Sequence, residues 1–167
     1  LPKEWNEPMS APGNETIRLK RTSVEAVGGS FISVACPVKI SCQFWCCSEG
    51  FTINVNVQLN AEQGECVFNL GSSSAQATRS IMQLDVVIPA RLLNNQTYSV
   101  SLTAVKNHSE PIFDFSNCLS FEVQDERQDI NYFGTWPGVI RPVIDNNLII
   151  KETMETDLLK TTNRVNG

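Results

Sequence analysis

Residues 38–60 read VKISCQFWCCSEGFTINVNVQLN. In the first half Val38, Ile40, Cys42, Phe44 and Cys46 alternate with Lys39, Ser41, Gln43, Trp45 and Cys47. In the second half Phe51, Ile53, Val55, Val57 and Leu59 alternate with Thr52, Asn54, Asn56, Gln58 and Asn60. A period of two marks strands with one buried face. Ser48-Glu49-Gly50 between them reads as a hairpin turn. Paired in that way, the two strands would present their polar residues on one surface. A strand face that meets only water usually carries charges and Thr. This one carries amides, small hydroxyls and an indole.

Outward from this hairpin, the same reading gives strands over residues 16–26, 31–35, 65–70, 79–88, 97–105 and 117–124. Ile17 and Leu19 share one parity, Val24 and Ala26 the other, which predicts a bulge near Arg21 to Ser23. Residues 71–77 and 106–116 read as polar loops, the second containing Pro111, and residues 90–93 as one helical turn. Residues 1–15 hold three prolines and read as a linker. Residues 147–167 form a C-terminal extension, in which Ile150, Met154 and Leu158 recur every four positions and predict a short helix. About seven or eight strands with turn signals at roughly 8–12-residue spacing specify an all-β chain, an antiparallel immunoglobulin-like β-sandwich over residues 16–146.

The chain has 167 residues, enough for one domain with a substantial core. Its net charge of −5 argues against binding nucleic acid or an anionic membrane. No apolar run approaches the roughly 18 residues of a membrane helix. The first residue is Leu1 and not Met, so the sequence reads as a fragment or a processed form.

Six cysteines are present, but the strand around Tyr98 has none, so the inter-sheet disulfide of immunoglobulin domains lacks a partner there. Cys42 and Cys46 share one strand face and act as small hydrophobes. Free thiols in a cytosolic protein are expected. No C-x-x-C occurs and His108 is the only histidine, so no metal site is expected. His108, Ser109 and Glu110 are neighbours in sequence and are not spaced as parts of one catalytic site. No catalytic residue and no cofactor is assigned. The sequons at Asn14, Asn95 and Asn107 match what a composition rich in Asn, Ser and Thr produces by chance.

Residues 117–145 read NCLSFEVQDERQDINYFGTWPGVIRPVID. Leu119, Phe121 and Val123 alternate with polar residues, and a charged break follows. Residues 132–138 then gather Tyr132, Phe133 and Trp136 with two glycines and a proline. Pro142 confines the next segment, Val139 to Ile144, to a sheet edge or an extended cover. Together with Ile88-Pro89, Leu92-Leu93-Asn94-Asn95 and Tyr98, this stretch resembles the C-terminal domain of Wzt-type proteins, the ATP-binding subunits of bacterial ABC transporters that export O-antigen polysaccharide. Gln96 stands where that family's segment has Gly.

The resemblance implies a cytoplasmic β-sandwich, associated with the inner membrane through its transporter, that reads the non-reducing end of a glycan. It implies ATPase motifs upstream of Leu1. It also implies a homodimer, with Arg127 to Gly134 as hinge and Val139 to Ile144 as exchanged strand. The expected partners are the polysaccharide, a second copy and a membrane transporter subunit, without nucleic acid.

The candidate carbohydrate-binding residues are Gln43, Trp45, Asn54, Asn56, Gln58 and Ser101. Side-chain amides both donate and accept, as sugar hydroxyls do. Trp45 would supply a stacking platform, while Trp136 would plug the end of the sandwich. Two other readings stay open. The chain could be an accessory domain of a glycosyltransferase or other polysaccharide-modifying enzyme, or the amide face could be covered by a dimer partner.

Overall fold

The computed structural model describes residues 2–126 and 136–154. Among these, nine strands form: β1 (Lys3–Glu4), β2 (Ile17–Ala26), β3 (Val38–Cys46), β4 (Thr52–Ala61), β5 (Cys66–Gly71), β6 (Ala75–Gln76), β7 (Ser80–Ile88), β8 (Thr97–Lys106) and β9 (Glu110–Glu122). One sheet has the order β1-β2-β3-β7. The other has the order β5-β4-β8-β9, with β6 also paired to β4. All neighbouring strands are antiparallel. The alternation seen in the sequence therefore builds a β-sandwich.

Val38, Ile40, Cys42 and Phe44 from β3 share one core with Val57 and Leu59 from β4 and with Tyr98, Val100 and Leu102 from β8. Phe44 and Phe115 meet across the two sheets with centroids 5.6 Å apart. Burying each large apolar side chain contributes about 1.5–3 kcal/mol. No helix among the described residues is long and apolar enough to cross a membrane.

The link after β3 is not a hairpin turn. Both edges of β3 are taken, by β2 and β7, and β4 lies between β5 and β8 in the other sheet. Residues 47–51 therefore cross from sheet to sheet. Packed sheets lie about 10 Å apart, and four or five extended residues span that gap. Gly50 turns the chain at φ 87, and Phe51 anchors the arrival in the core. Alternation fixes which face is buried but does not name the neighbouring strand, so two alternating runs joined by a short polar link suit a hairpin or a crossover equally.

The bulge in β2 falls between Leu19 and Arg21, just upstream of its expected place. It turns Ile17 and Leu19, and beyond it Thr22, to the same interior. Four other elements depart from expectation. Residues 31–35 make only a bridge from Ser33 to Gln124. Residues 90–93 form a turn with Arg91 at φ 60 and not a helical turn, Arg91 donating its N–H to the Val34 carbonyl. Residues 148–154 form no helix or strand and are exposed, and Leu158 lies outside the described residues. Lys3 and Glu4, placed in the linker, pair with Thr22 and Arg21.

The expected loop at 106–116 is mostly strand. The chain turns at Asn107 (φ 49) and His108 (φ 65), where Asn tolerates the left-handed region. Strand β9 begins two residues later. Pro111 fits because β9 is an edge strand. Between the pairs Val100–Leu119 and Leu102–Phe115, β9 holds two more residues than β8, and this bulge hides the alternation. Asn117 sits there at φ 47 and donates its N–H to Ser101 Oγ.

Two predictions follow from the interior. Thr22 is fully buried opposite Cys42, and its hydroxyl meets no hydrogen-bond partner among the described residues. A buried unpaired hydroxyl costs about 1–3 kcal/mol. The isosteric Thr22→Val should stabilise the protein by about 1 kcal/mol in urea unfolding; a loss of stability would show that the hydroxyl is satisfied. The six cysteines form no disulfide. Burial pushes the Cys42 thiol up to about 12 and that of Cys118 up to about 11. Both stay protonated at pH 8, where only thiolate reacts. A disulfide-exchange reagent at pH 8 should label exposed Cys66 first and find six thiols once the unreduced protein is unfolded.

Candidate functional site

The crossover separates the candidate residues. Gln43 and Trp45 lie on the outward face of β3, in the four-stranded sheet. There the Gln43 amide donates to Gln83 Oε1 at 3.0 Å. Ser41 donates to Asp85, and that bond is the first cause holding the Asp85 carboxyl below its ordinary range. Trp45 lies between Arg18 and Ile81 on the neighbouring strands, with Lys20 Nζ 5.0 Å from its ring centroid. Asn54, Asn56 and Gln58 lie on the outward face of β4 in the other sheet, with Ser101 of β8 beside Gln58. Because the buried faces of the sheets meet in one core, these two sets stand on opposite sides of the sandwich. The single hairpin surface does not form.

The side with Asn54, Asn56, Gln58 and Ser101 carries amides and hydroxyls in neighbouring rows. Register places Asn69 and Ser101 on either side of Gln58, and Gly71 and Thr103 on either side of Asn56. Asn54 donates to Asn56 Oδ1 at 3.1 Å, and Gln58 donates to Asn60 Oδ1 at 2.8 Å. Each bond orients an amide while using one of its two N–H donors. A side chain at Gly71 would cover this row, since a Cβ there would lie 3.3 Å from Asn56 Oδ1 and 3.8 Å from Asn54 Nδ2.

Followed along β4 and β8, the rows run from Asn56–Thr103 through Gln58–Ser101 and Asn60–Ser99. Beyond them Thr97 pairs with Glu122, and Glu62 stands in the turn that follows β4. There a cavity of about 470 Å³ opens, lined also by Gln63, Asn94, Asn95, Gln96, Trp136 and Gly138. Trp136 is 51 % exposed and walls this cavity. It does not plug the sandwich end as expected.

The wall is held by a clasp. The Asn94 amide donates to the Trp136 carbonyl at 2.7 Å and to the Gly138 carbonyl at 2.6 Å. Tyr98 Oη accepts the Asn94 N–H at 2.9 Å and donates to the Val139 carbonyl at 2.7 Å. Burial, the leading cause, raises the Tyr98 hydroxyl above its ordinary range, so it remains a donor. Arg141 donates its N–H to the Leu92 carbonyl and pairs with Asp125 at 2.7 Å. Ile140 bridges to Leu93. Val139 to Arg141 thus dock on this chain's own turn, and residues 141–144 add no strand. The expected hinge, Arg127 to Gly134, lies outside the described residues.

Glu62, Gln63, Asn95, Gln96 and Glu122 were not among the candidates. Asn94, Asn95, Tyr98 and Trp136 all stand in the two quoted segments of the resemblance, but nothing in the sequence shows that the segments touch. Among the described residues no group of three or more His, Cys, Asp or Glu side chains is placed to hold a metal ion.

Fold and surface define an immunoglobulin-like β-sandwich with a face of amides and hydroxyls, bordered by Asp114 beside Thr103, that leads to a tryptophan-walled cavity. A crystal structure of the C-terminal domain of wzt has the same fold: TM-score 0.62, with 83 % of this chain and 86 % of that chain covered, at 9 % identity. A β-D-mannosidase from Dictyoglomus thermophilum matches at TM-score 0.46 and 11 % identity, over 65 % of this chain and 13 % of that chain. A bacterial adhesin from Mobiluncus mulieris matches at TM-score 0.37 and 10 % identity, over 73 % and 56 %. Neither of these two bears on function. No protein-family model and no curated protein matches the chain.

The clasp is testable. Asn94→Ala removes both side-chain bonds to the segment that carries Trp136. Stability should fall by about 1–3 kcal/mol, and amide exchange at Gly138 and Val139 should quicken. Unchanged exchange there would mean that the segment is held by other contacts.

Proposed function

We propose that this chain is a carbohydrate-binding domain that holds a polysaccharide along the outward face of β4 and β8, with the glycan's terminal residue at the Trp136 cavity. One observation carries the reading: the amides and hydroxyls of Asn56, Gln58 and Ser101 stand in rows that run toward a cavity walled by an exposed indole. Amides and hydroxyls exchange hydrogen bonds with sugar hydroxyls in both directions. An indole face packs on the apolar face of a pyranose. The domain would select its ligand without breaking a bond in it.

The fold seen in the wzt C-terminal domain and the family resemblance of the Asn94–Tyr98 and Trp136–Pro142 segments support a narrower form of the proposal. In that form the glycan is an O-antigen polysaccharide, the bound end is the non-reducing one, and the parent protein is a cytoplasmic subunit of an ABC exporter. The proposed assembly is a homodimer. The Leu92–Leu93 turn, Tyr98 and Asp125 would hold a Val139–Arg141 segment equally from a second copy. Light scattering that finds only monomer would remove this part.

Gln43 and Trp45 lie on the far side and supply the control. Calorimetric titration of purified O-antigen polysaccharides should show that Trp136→Ala weakens binding by about 1–2 kcal/mol, on the order of tenfold. Asn56→Ala should cost about 1 kcal/mol. Trp45→Ala should bind as wild type does. The opposite pattern, with Trp45→Ala silent to the polysaccharide and Trp136→Ala unaffected, would move the site to the other sheet.

A further inference from the structure

The row that crosses the candidate face at Asn56 does not end on β8. Gly71, Asn56 and Thr103 stand side by side, and Thr103 pairs with Asp114 on β9. The Thr103 hydroxyl donates to Asp114 Oδ1 at 2.7 Å, and the second oxygen of this exposed carboxylate meets no partner among the described residues. Asp114 also lines a separate cavity of about 320 Å³. Strand β9 is the last in its sheet, so no strand among the described residues covers its far edge. Asp114 points outward there, while its neighbours Phe113 and Phe115 pack against the core. The cavity therefore straddles the edge and meets side chains from both faces of β9.

Floor and rim differ in chemistry. Trp5, Leu19, Phe113 and Phe115 supply an apolar floor, in which the two phenylalanine rings meet with centroids 4.7 Å apart. Trp5 donates its backbone N–H to the Lys20 carbonyl at 2.9 Å, which anchors the indole at this edge. The rim carries Lys3, Asp114 and Ser116, all exposed. An ammonium donates, a carboxylate accepts and a hydroxyl does both. The rim can thus hold sugar hydroxyls, to which the floor offers nothing. A space of this volume lies at the small end of ligand pockets and suits one sugar unit. We propose that this cavity is a second subsite of the glycan face and takes a 6-deoxyhexose, with its C6 methyl on the aromatic floor and its ring hydroxyls at Lys3, Asp114 and Ser116. An ordinary hexose carries a hydroxyl on that carbon. Buried against these rings, the hydroxyl would lose its water and gain no partner. The inference rests on the reading of the β4–β8 face as a glycan site, which the Asn56–Thr103–Asp114 row joins to the cavity, and it names a sugar class for that site.

The test is a set of amide and indole NMR titrations of the full chain with two pairs of glycosides. Methyl α-L-fucopyranoside is set against methyl α-L-galactopyranoside, and methyl α-L-rhamnopyranoside against methyl α-L-mannopyranoside; the members of each pair differ only in the C6 hydroxyl. In at least one pair the 6-deoxy glycoside should shift Trp5 and Ser116 and bind about tenfold more tightly than its hydroxylated counterpart. Asp114→Ala, at an exposed position that does not threaten folding, should weaken that binding at least about fivefold. Trp45→Ala, on the far side, should leave it unchanged. Equal binding within both pairs, shifts that miss Trp5 and Ser116, full binding by Asp114→Ala, or no response to either 6-deoxy glycoside would overturn the proposal. So would Trp5 and Ser116 signals that move with protein concentration alone, which would mean that a second copy covers the edge of β9. Polysaccharide binding that depends on Asn56 and Trp136 but leaves the Trp5 cavity silent defeats this inference alone. Binding of a 6-deoxy glycoside at the Trp5 cavity without any polysaccharide binding defeats the broader reading alone.

Discussion

Tyr98 is the hinge-pin of the candidate site. Its ring is fully buried and stacked near Phe121, with centroids 5.8 Å apart, so the core fixes where its hydroxyl points. That hydroxyl takes the Asn94 N–H and gives its own hydrogen to Val139. Asn94, itself buried, then places the Trp136 and Gly138 carbonyls. The cavity wall therefore inherits its position from the hydrophobic core through three consecutive hydrogen-bonded groups. A buried polar network of this kind holds one arrangement firmly only while every member is satisfied.

The surface leading to that wall follows from a simpler rule. Inward positions on β4 and β8 are filled by Val, Leu, Ile, Ala and Tyr, and outward ones by Asn, Gln, Ser and Thr. Short amides on neighbouring rows bond to one another along β4 and so keep defined orientations in water. Ordering these side chains in advance lowers the entropy cost of gripping a flexible ligand. Gly71 contributes by lacking a side chain beside Asn56.

What the sequence disclosed was parity, and what it withheld was adjacency. The buried sides of β3, β4, β7 and β8 follow directly from alternation, and the parity change in β2 gave away its bulge. Alternation carries no information about which strands lie together, so Ser48-Glu49-Gly50 reads as a hairpin turn and Trp45 as a neighbour of Asn54 and Asn56, whereas β3 and β4 lie in different sheets. In β9 the bulge at Asn117 broke the period, and Pro111 argued for a loop until its edge position removed the objection. At Ile150 and Met154 apolar residues four positions apart suggested a helix, but both are exposed and meet no apolar surface among the described residues. The cavity arises only where the ends of β4, β8 and β9 meet a segment some forty residues beyond Asn94, a conjunction set by tertiary contacts.

The crossover after β3 also shapes how the chain reaches its native state. Neither sheet is made from a contiguous piece of chain: β3 must wait for β7, and β4 must wait for β8. Local pieces such as β2–β3 and β8–β9 can form early, but each leaves an apolar face open until the distant strands arrive. Closing such long loops before their contacts reward it slows folding, into the range of milliseconds to seconds for β-sandwiches. A truncation that removes β7 and β8 would thus leave β3 and β4 each paired on one side alone, and both half-sheets would present unpaired edges to other chains.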